Sequence, residues 1–289
     1  MCDEFINQGL VEDPRITRRA FGVLVAATAG TAATAAGLAG EHVTERDVAV
    51  KTADGTCDAA LFHPEGKGRW PAVLIWTDIM GLRPVFREMG RRLASQGYVV
   101  LVPNPFYRSK HAPVVDGPVD FSKPEQRNML FGYRKAMTDE GVAHDAAAYL
   151  AFLDAQPQTD KARKAGVQGY CMGGELSFRT AAAVPARIGA VGSFHGGNGL
   201  VTDKPNSPHL LIAKTNATYL VCQAQNDDAK MPEVKDALKA AFAAAKRPAT
   251  VEVYPANHGW CVAGSQVYDQ AQAERAWTAL SGLYQATLV

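Results

Sequence analysis

Several common signatures are missing from this sequence. There is no Cys-x-x-Cys, and no cysteine pair has the spacing of a metal site. No long basic run occurs, and the formal net charge is +1, so nothing marks a nucleic-acid surface. Charged residues make up only 20% of the chain. No internal repeat is visible, and no Ser/Pro-rich linker follows residue 40. The uncharged run 22–40 is built mainly from Ala, Gly and Thr rather than Leu, too weakly apolar for a stable membrane span. What remains is 289 residues of 47% hydrophobic composition, enough for one large domain over 41–289.

Residues 1–40 read differently from the rest. Thr17-Arg18-Arg19-Ala20-Phe21 places paired arginines and an aromatic before the uncharged stretch. This resembles a twin-arginine export signal, with small residues at 36–39 suited to cleavage. It implies the twin-arginine machinery as a partner, export of the folded chain, and a periplasmic location. The competing readings are an N-terminal extension or an uncleaved anchor. Cys2 would leave with the signal; Cys57, Cys171, Cys222 and Cys261 would enter an oxidising compartment. A Cys57–Cys222 or a Cys222–Cys261 disulfide is open at this point, as is a buried, unpaired Cys222.

Along the remaining chain, strands at 47–51 and 57–63 form a hairpin through Ala53-Asp54-Gly55. The run 72–76 is wholly apolar, as strands buried on both faces are. A helix over 86–95, a buried strand over 98–102, and a long irregular connection over 103–137 follow; such connections are usually functional. Further strands are expected at 165–168, 188–194, 218–224 and 250–254. Helices are expected at 138–153, 174–183, 232–245 and 266–288. Strands alternating with helices imply an α/β fold: a mostly parallel central sheet with helices on both faces. Ligands of such sheets sit at the carboxyl ends of the strands.

Those ends carry the reactive residues. Gly169-Tyr170-Cys171-Met172-Gly173-Gly174 joins a strand to a helix. This is the nucleophile-elbow pattern with Cys in place of Ser, where sterics demand small residues two before and two after. The helix N-terminus after it favours a thiolate, the reactive form of the thiol. Asn226-Asp227-Asp228 follows another strand, and Asn257-His258-Gly259-Trp260 a third. The order nucleophile, acid, histidine is that of α/β-hydrolases. His258 would exchange the thiol proton, and Asp227 or Asp228 would fix its tautomer. Asp227 is preferred because it lies nearer the strand end.

With those residues in place, the chain resembles the dienelactone hydrolase family from about residue 48 to the C-terminus. The resemblance rests on Cys171, Asp227 and His258 in their motifs, on Thr77-Asp78-Ile79-Met80-Gly81-Leu82, and on Gly97 to Pro103. It implies an α/β-hydrolase fold, a small ester or lactone substrate, and no metal or organic cofactor. It also implies an oxyanion hole from the Ile79 and Met172 N–H groups, and an acid, here Asp78, that holds the resting nucleophile. Arg108 matches an arginine that binds a substrate carboxylate. A second arginine expected after the histidine is replaced by Cys261 and Val262, so a less charged ester or lactone is the alternative. His195 follows a strand and would either bind substrate or donate to a turn carbonyl. Trp260 would line the pocket or pack in the core.

The expected chemistry is acyl transfer through a Cys171 acyl-enzyme. Its rivals are a serine-type general esterase activity, a redox-responsive thiol protein and a non-catalytic binding protein on a hydrolase scaffold, since fold alone does not fix function.

Overall fold

A computed structural model describes residues 42–117 and 119–289. The twin-arginine segment expected over 1–40 lies outside the described residues. β1 (Val43–Thr52) and β2 (Gly55–Pro64) form the expected antiparallel hairpin, with Thr52 opposite Gly55. β3 (Ala72–Trp76) and β4 (Val99–Pro103) are buried at every position. A strand covered on both faces has no solvent side for a polar residue, which explains the unbroken apolar runs.

β5 (Ala165–Tyr170), β6 (Ile188–Phe194), β7 (Thr218–Ala224) and β8 (Ala249–Tyr254) complete one sheet of order β1-β2-β4-β3-β5-β6-β7-β8. Every pairing from β4 to β8 is parallel, and only the β1 and β2 ladders are antiparallel. Successive side chains leave opposite faces of a strand. Leu74 and Trp76 accordingly join one core, and Val73 and Ile75 the other. The first core is closed by α3 (Asp139–Asp154), α4 (Met172–Ala183) and α7 (Glu233–Ala245), through Tyr149, Phe178 and Phe242. The second is closed by α1 (Pro84–Ala94) and α8 (Gln270–Leu288), through Phe86, Trp277 and Tyr284. This is the expected mostly parallel sheet with helices on both faces.

Three local expectations change. The connection read as irregular contains α2 (Pro124–Ala136), whose only fully covered residue is Leu130, so it lacks the apolar stripe that marks a helix in sequence. A short helix outside the expected set, α6 (Gln225–Lys230), carries the Asp pair. α8 begins four residues later than expected, where the Asp269 carboxylate accepts the Gln272 N–H at 3.0 Å and caps it. A four-residue helix, α5 (Pro208–Leu211), precedes β7. None of the helices among the described residues is long and apolar enough to cross a membrane.

Candidate active site

Cys171 stands between β5 and α4 with φ 56° and ψ −120°, a conformation that strains any residue but glycine. The strain survives because the surroundings are tight. A Cβ on Gly173 would lie 2.6 Å from both the Trp76 and Thr77 carbonyl oxygens, and one on Gly169 would collide with the Gly173 carbonyl. The turn therefore presses α4 against β3 and leaves the thiol at the sheet's carboxyl edge. No side chain caps α4. Met172 is its first residue, and first-turn N–H groups have no acceptor within their own helix.

β7 and β8 deliver the acid and the base. The Asp227 carboxylate meets His258 Nδ1 at 2.6 Å, with Asp227 and His258 each 9% exposed. Asn226 accepts the His258 backbone N–H at 2.8 Å, which stitches α6 to the loop after β8. Sequence reasoning missed Asn226, although its place beside the Asp pair was the available signal. Asp228 points elsewhere and pairs with Lys235 at 2.7 Å. Of the two aspartates, only Asp227 reaches the imidazole. His258 Nε2 is buried and makes no hydrogen bond of ordinary geometry, but the Cys171 sulfur is its neighbour there. Burial opposes charge on the ring, yet Cys171 and the Asp227 carboxylate outweigh it and hold His258 well above its ordinary pKa.

His195 lies beside the nucleophile. Its Nδ1 accepts the Cys171 backbone N–H at 3.1 Å, while its own N–H donates to the Cys222 carbonyl at 2.8 Å. It is fully buried, its φ is 40°, and its ring lies 4.9 Å from that of His258. Burial, with His258 beside it, pushes its pKa well below the ordinary value. Trp260 is fully buried, stacked on Tyr254 at 5.3 Å and set edge-on to His195 at 5.2 Å. It is a core buttress behind His195 and not an open pocket wall.

The turn after β3 carries Ile79. Asp78 is entirely buried, and Arg83 grips both its oxygens, at 2.6 and 2.8 Å. Asp78 Oδ1 also accepts the Met80 N–H at 2.9 Å, and the Asp78 carbonyl accepts the Gly81 N–H at 3.0 Å. These bonds fix the turn that presents the Ile79 amide. They also correct one expectation: the Asp78 carboxylate is committed to Arg83 and its own turn, not to the thiol. Nothing in the sequence singles out Arg83, because a partner five residues away across a turn has no periodic signature.

Arg108 is corrected as well. Its guanidinium pairs with Asp145 at 2.7 Å and with Asp54 at 2.6 Å, and it is not free to receive a substrate carboxylate. The Tyr107 hydroxyl donates to the same buried Asp145 at 2.8 Å. This cluster ties the β4–α2 connection to α3 and to the β1–β2 turn. The four described cysteines are unpaired and buried. Four strands separate β2 from β7, about 24 Å at ordinary strand spacing, so Cys57 and Cys222 cannot meet. Burial pushes the thiols of both up to about 12, and Cys261 also well above its ordinary value. Among the described residues, no group of three or more His, Cys, Asp or Glu side chains is set to hold a metal ion.

The sheet order and the strained strand–helix turn define an α/β-hydrolase fold. Comparison with known proteins narrows this. The profile of the dienelactone hydrolase family matches residues 57–288, and the chain belongs to that family. It is 35% identical over 117 residues to a carboxymethylenebutenolidase of Pseudomonas sp. (strain P51), spanning 40% of this chain and 46% of that one. It is 26% identical over 201 residues to a carboxymethylenebutenolidase of Rhodococcus opacus, spanning 69% of this chain and 74% of that one. Among solved structures, a dienelactone hydrolase-like promiscuous phosphotriesterase from metagenomic libraries superposes with TM-score 0.68 at 25% identity, covering 86% of this chain and 99% of that one. The chain is thus a hydrolase of the carboxymethylenebutenolidase-like kind.

Proposed function

We propose that this chain cleaves a small carboxylic ester or enol lactone through an acyl-enzyme on Cys171, with His258 and Asp227 completing the triad. The observation that carries the reading is the 2.6 Å contact of His258 Nδ1 with Asp227, on a ring whose other nitrogen neighbours the strained Cys171. The Cys171 sulfur attacks the carbonyl carbon. The Ile79 and Met172 N–H groups receive the negative charge that develops on oxygen; each such donor is typically worth about 3 kcal/mol. The protonated His258 gives its proton to the departing alkoxide or enolate. It then accepts a proton from water as the thioester is hydrolysed. A thiolate is itself a good leaving group, so substrates with a good leaving group, enol lactones above all, are favoured over amides.

The pairing of Arg108 with Asp145 and Asp54, together with Cys261 and Val262 in place of a second arginine, favours an uncharged substrate. The test compares wild type with Cys171→Ala on p-nitrophenyl acetate and on a small enol lactone. Lactone turnover that disappears in the variant supports the reading; turnover that survives Cys171→Ala sinks it. We also propose export by the twin-arginine route, which rests on Arg18-Arg19 and the uncharged 22–40 run. Sequencing the N-terminus of periplasmic protein tests it, and a soluble cytosolic form that keeps Met1 would overturn it.

A further inference from the structure

One buried imidazole nitrogen in this site has no hydrogen-bond partner among the described residues, Nε2 of His195, whereas Nε2 of His258 faces the Cys171 sulfur. A buried polar atom without a partner is costly and asks for an explanation. His258 Nε2 neighbours the Cys171 sulfur and serves the proposed proton transfers. His195 Nε2 has no role in them so far.

The proton on His195 can be located. The Cys171 N–H is shared between the Phe194 carbonyl at 3.0 Å and Nδ1 at 3.1 Å, and an N–H aimed at Nδ1 meets a lone pair there. Burial, with His258 adjacent, keeps the ring neutral, so its single proton sits on Nε2. His195 therefore carries a donor on a ring 4.9 Å from that of His258. Once His258 has protonated the leaving group, its Nδ1–H remains with Asp227 and its Nε2 is an acceptor. His195 also keeps a left-handed φ of 40°, and backbone strain beside reacting groups points to function.

A donor and an acceptor on adjacent buried rings suit one water molecule, which accepts from the first and donates to the second. We propose that His195 Nε2–H and His258 Nε2 together hold the water that hydrolyses the Cys171 acyl-enzyme, which makes His195 a water-positioning residue of deacylation. The proposal rests on the acyl-enzyme reading above. In the step itself, the water oxygen bonds to the thioester carbonyl carbon and one of its protons passes to His258 Nε2. The C–S bond then breaks, its electron pair returns to the Cys171 sulfur, and the carboxylic acid leaves with the other proton. The thiolate and the protonated His258 are restored.

His195→Asn separates this role from support of the elbow. The Asn side-chain oxygen takes the position of Nδ1 and still accepts from the Cys171 N–H, and Asn tolerates a positive φ. Nothing in Asn reaches the position of Nε2. With p-nitrophenyl acetate, release of the first nitrophenol equivalent should stay within about twofold of wild type, while steady-state turnover falls roughly tenfold, the loss of one well-placed hydrogen bond. Intact-mass measurement should show an acetyl group accumulating on Cys171. Hydroxylamine, a nucleophile that needs no held water, should discharge it. Equal slowing of both phases, or unchanged steady-state turnover, overturns the proposal. Should His195→Asn fail to fold, His195→Gly, which also removes Nε2, suits a φ of 40° and leaves the Cys171 N–H on the Phe194 carbonyl, is read by the same two phases. Absence of any Cys171 adduct in both wild type and variant removes the acyl-enzyme reading, and the proposal with it.

Discussion

Arg83 holds both carboxylate oxygens of Asp78 across the turn that carries Ile79. Both side chains are buried, at 7% and 0% exposure. Removing one partner of such a pair strands the other's charge, at a cost of about 3–5 kcal/mol. Arg83→Met should therefore lower the denaturant midpoint at unchanged slope. If the turn aims the Ile79 amide, the same variant should lower kcat by about tenfold, through a donor moved off its mark. Unchanged kcat in folded Arg83→Met would detach this ion pair from catalysis.

The two neighbouring aspartates predict opposite outcomes. Asp227→Asn removes the charge that helps hold His258 protonated, so the His258 pKa falls. The acid form is present below that pKa, so the alkaline limb of the kcat profile should move to lower pH. The maximum should drop by a factor of about 100 or more, as loss of an orienting triad acid does. Asp228→Asn only releases Lys235, which contacts no part of the triad, and should leave the profile within about twofold of wild type. Equal effects of the two substitutions would contradict the geometry.

Arg108→Leu leaves Asp145 buried and short of its cation. A stability loss of about 3 kcal/mol is expected. The kcat/KM ratio between a neutral ester and one bearing a carboxylate should be unchanged within about twofold, because the guanidinium is committed elsewhere. A selective loss on the charged substrate would return Arg108 to the binding site.

His195 predicts an acid-side instability. Its folded pKa lies well below the ordinary value of about 6.5. As pH falls below about 6.5, the unfolded chain takes up this proton before the folded one, so stability declines towards the folded pKa. His258 acts in the opposite sense: its raised pKa contributes stability below its ordinary value, and that contribution is lost as pH rises through the folded pKa. The difference in unfolding free energy between wild type and His195→Asn, followed from pH 7 downward by denaturant titration, should isolate the first slope. Parallel curves would mean that His195 does not titrate with folding.

Much of this molecule was legible in the chain itself. The unbroken apolar runs of β3 and β4, alternating with amphipathic helices, required a parallel sheet covered on both faces. The glycines flanking Cys171 required a strained turn, because that sequence has one economical use at a strand–helix junction. The order Cys171, Asp227, His258, each after a strand, brought three distant segments to one sheet edge. α2 escaped because it buries so little that no stripe marks it.

Contacts across turns and between layers were decided only by the tertiary structure. Asp227 was separated from Asp228 by the phase of a six-residue helix, and sequence proximity to a strand end does not fix a side chain's direction. Asp78 and Arg108 carry residue types suited to binding, but folding set a charge of opposite sign beside each, and a buried charge is kept by its partner. His195 depends on an amide from another strand end and on a φ of 40° that no local pattern encodes. Periodicity is a property of one segment and can be read from that segment. Pairing of buried polar groups is a property of the assembled layers, because desolvation forces each group to find whichever partner the fold brings near.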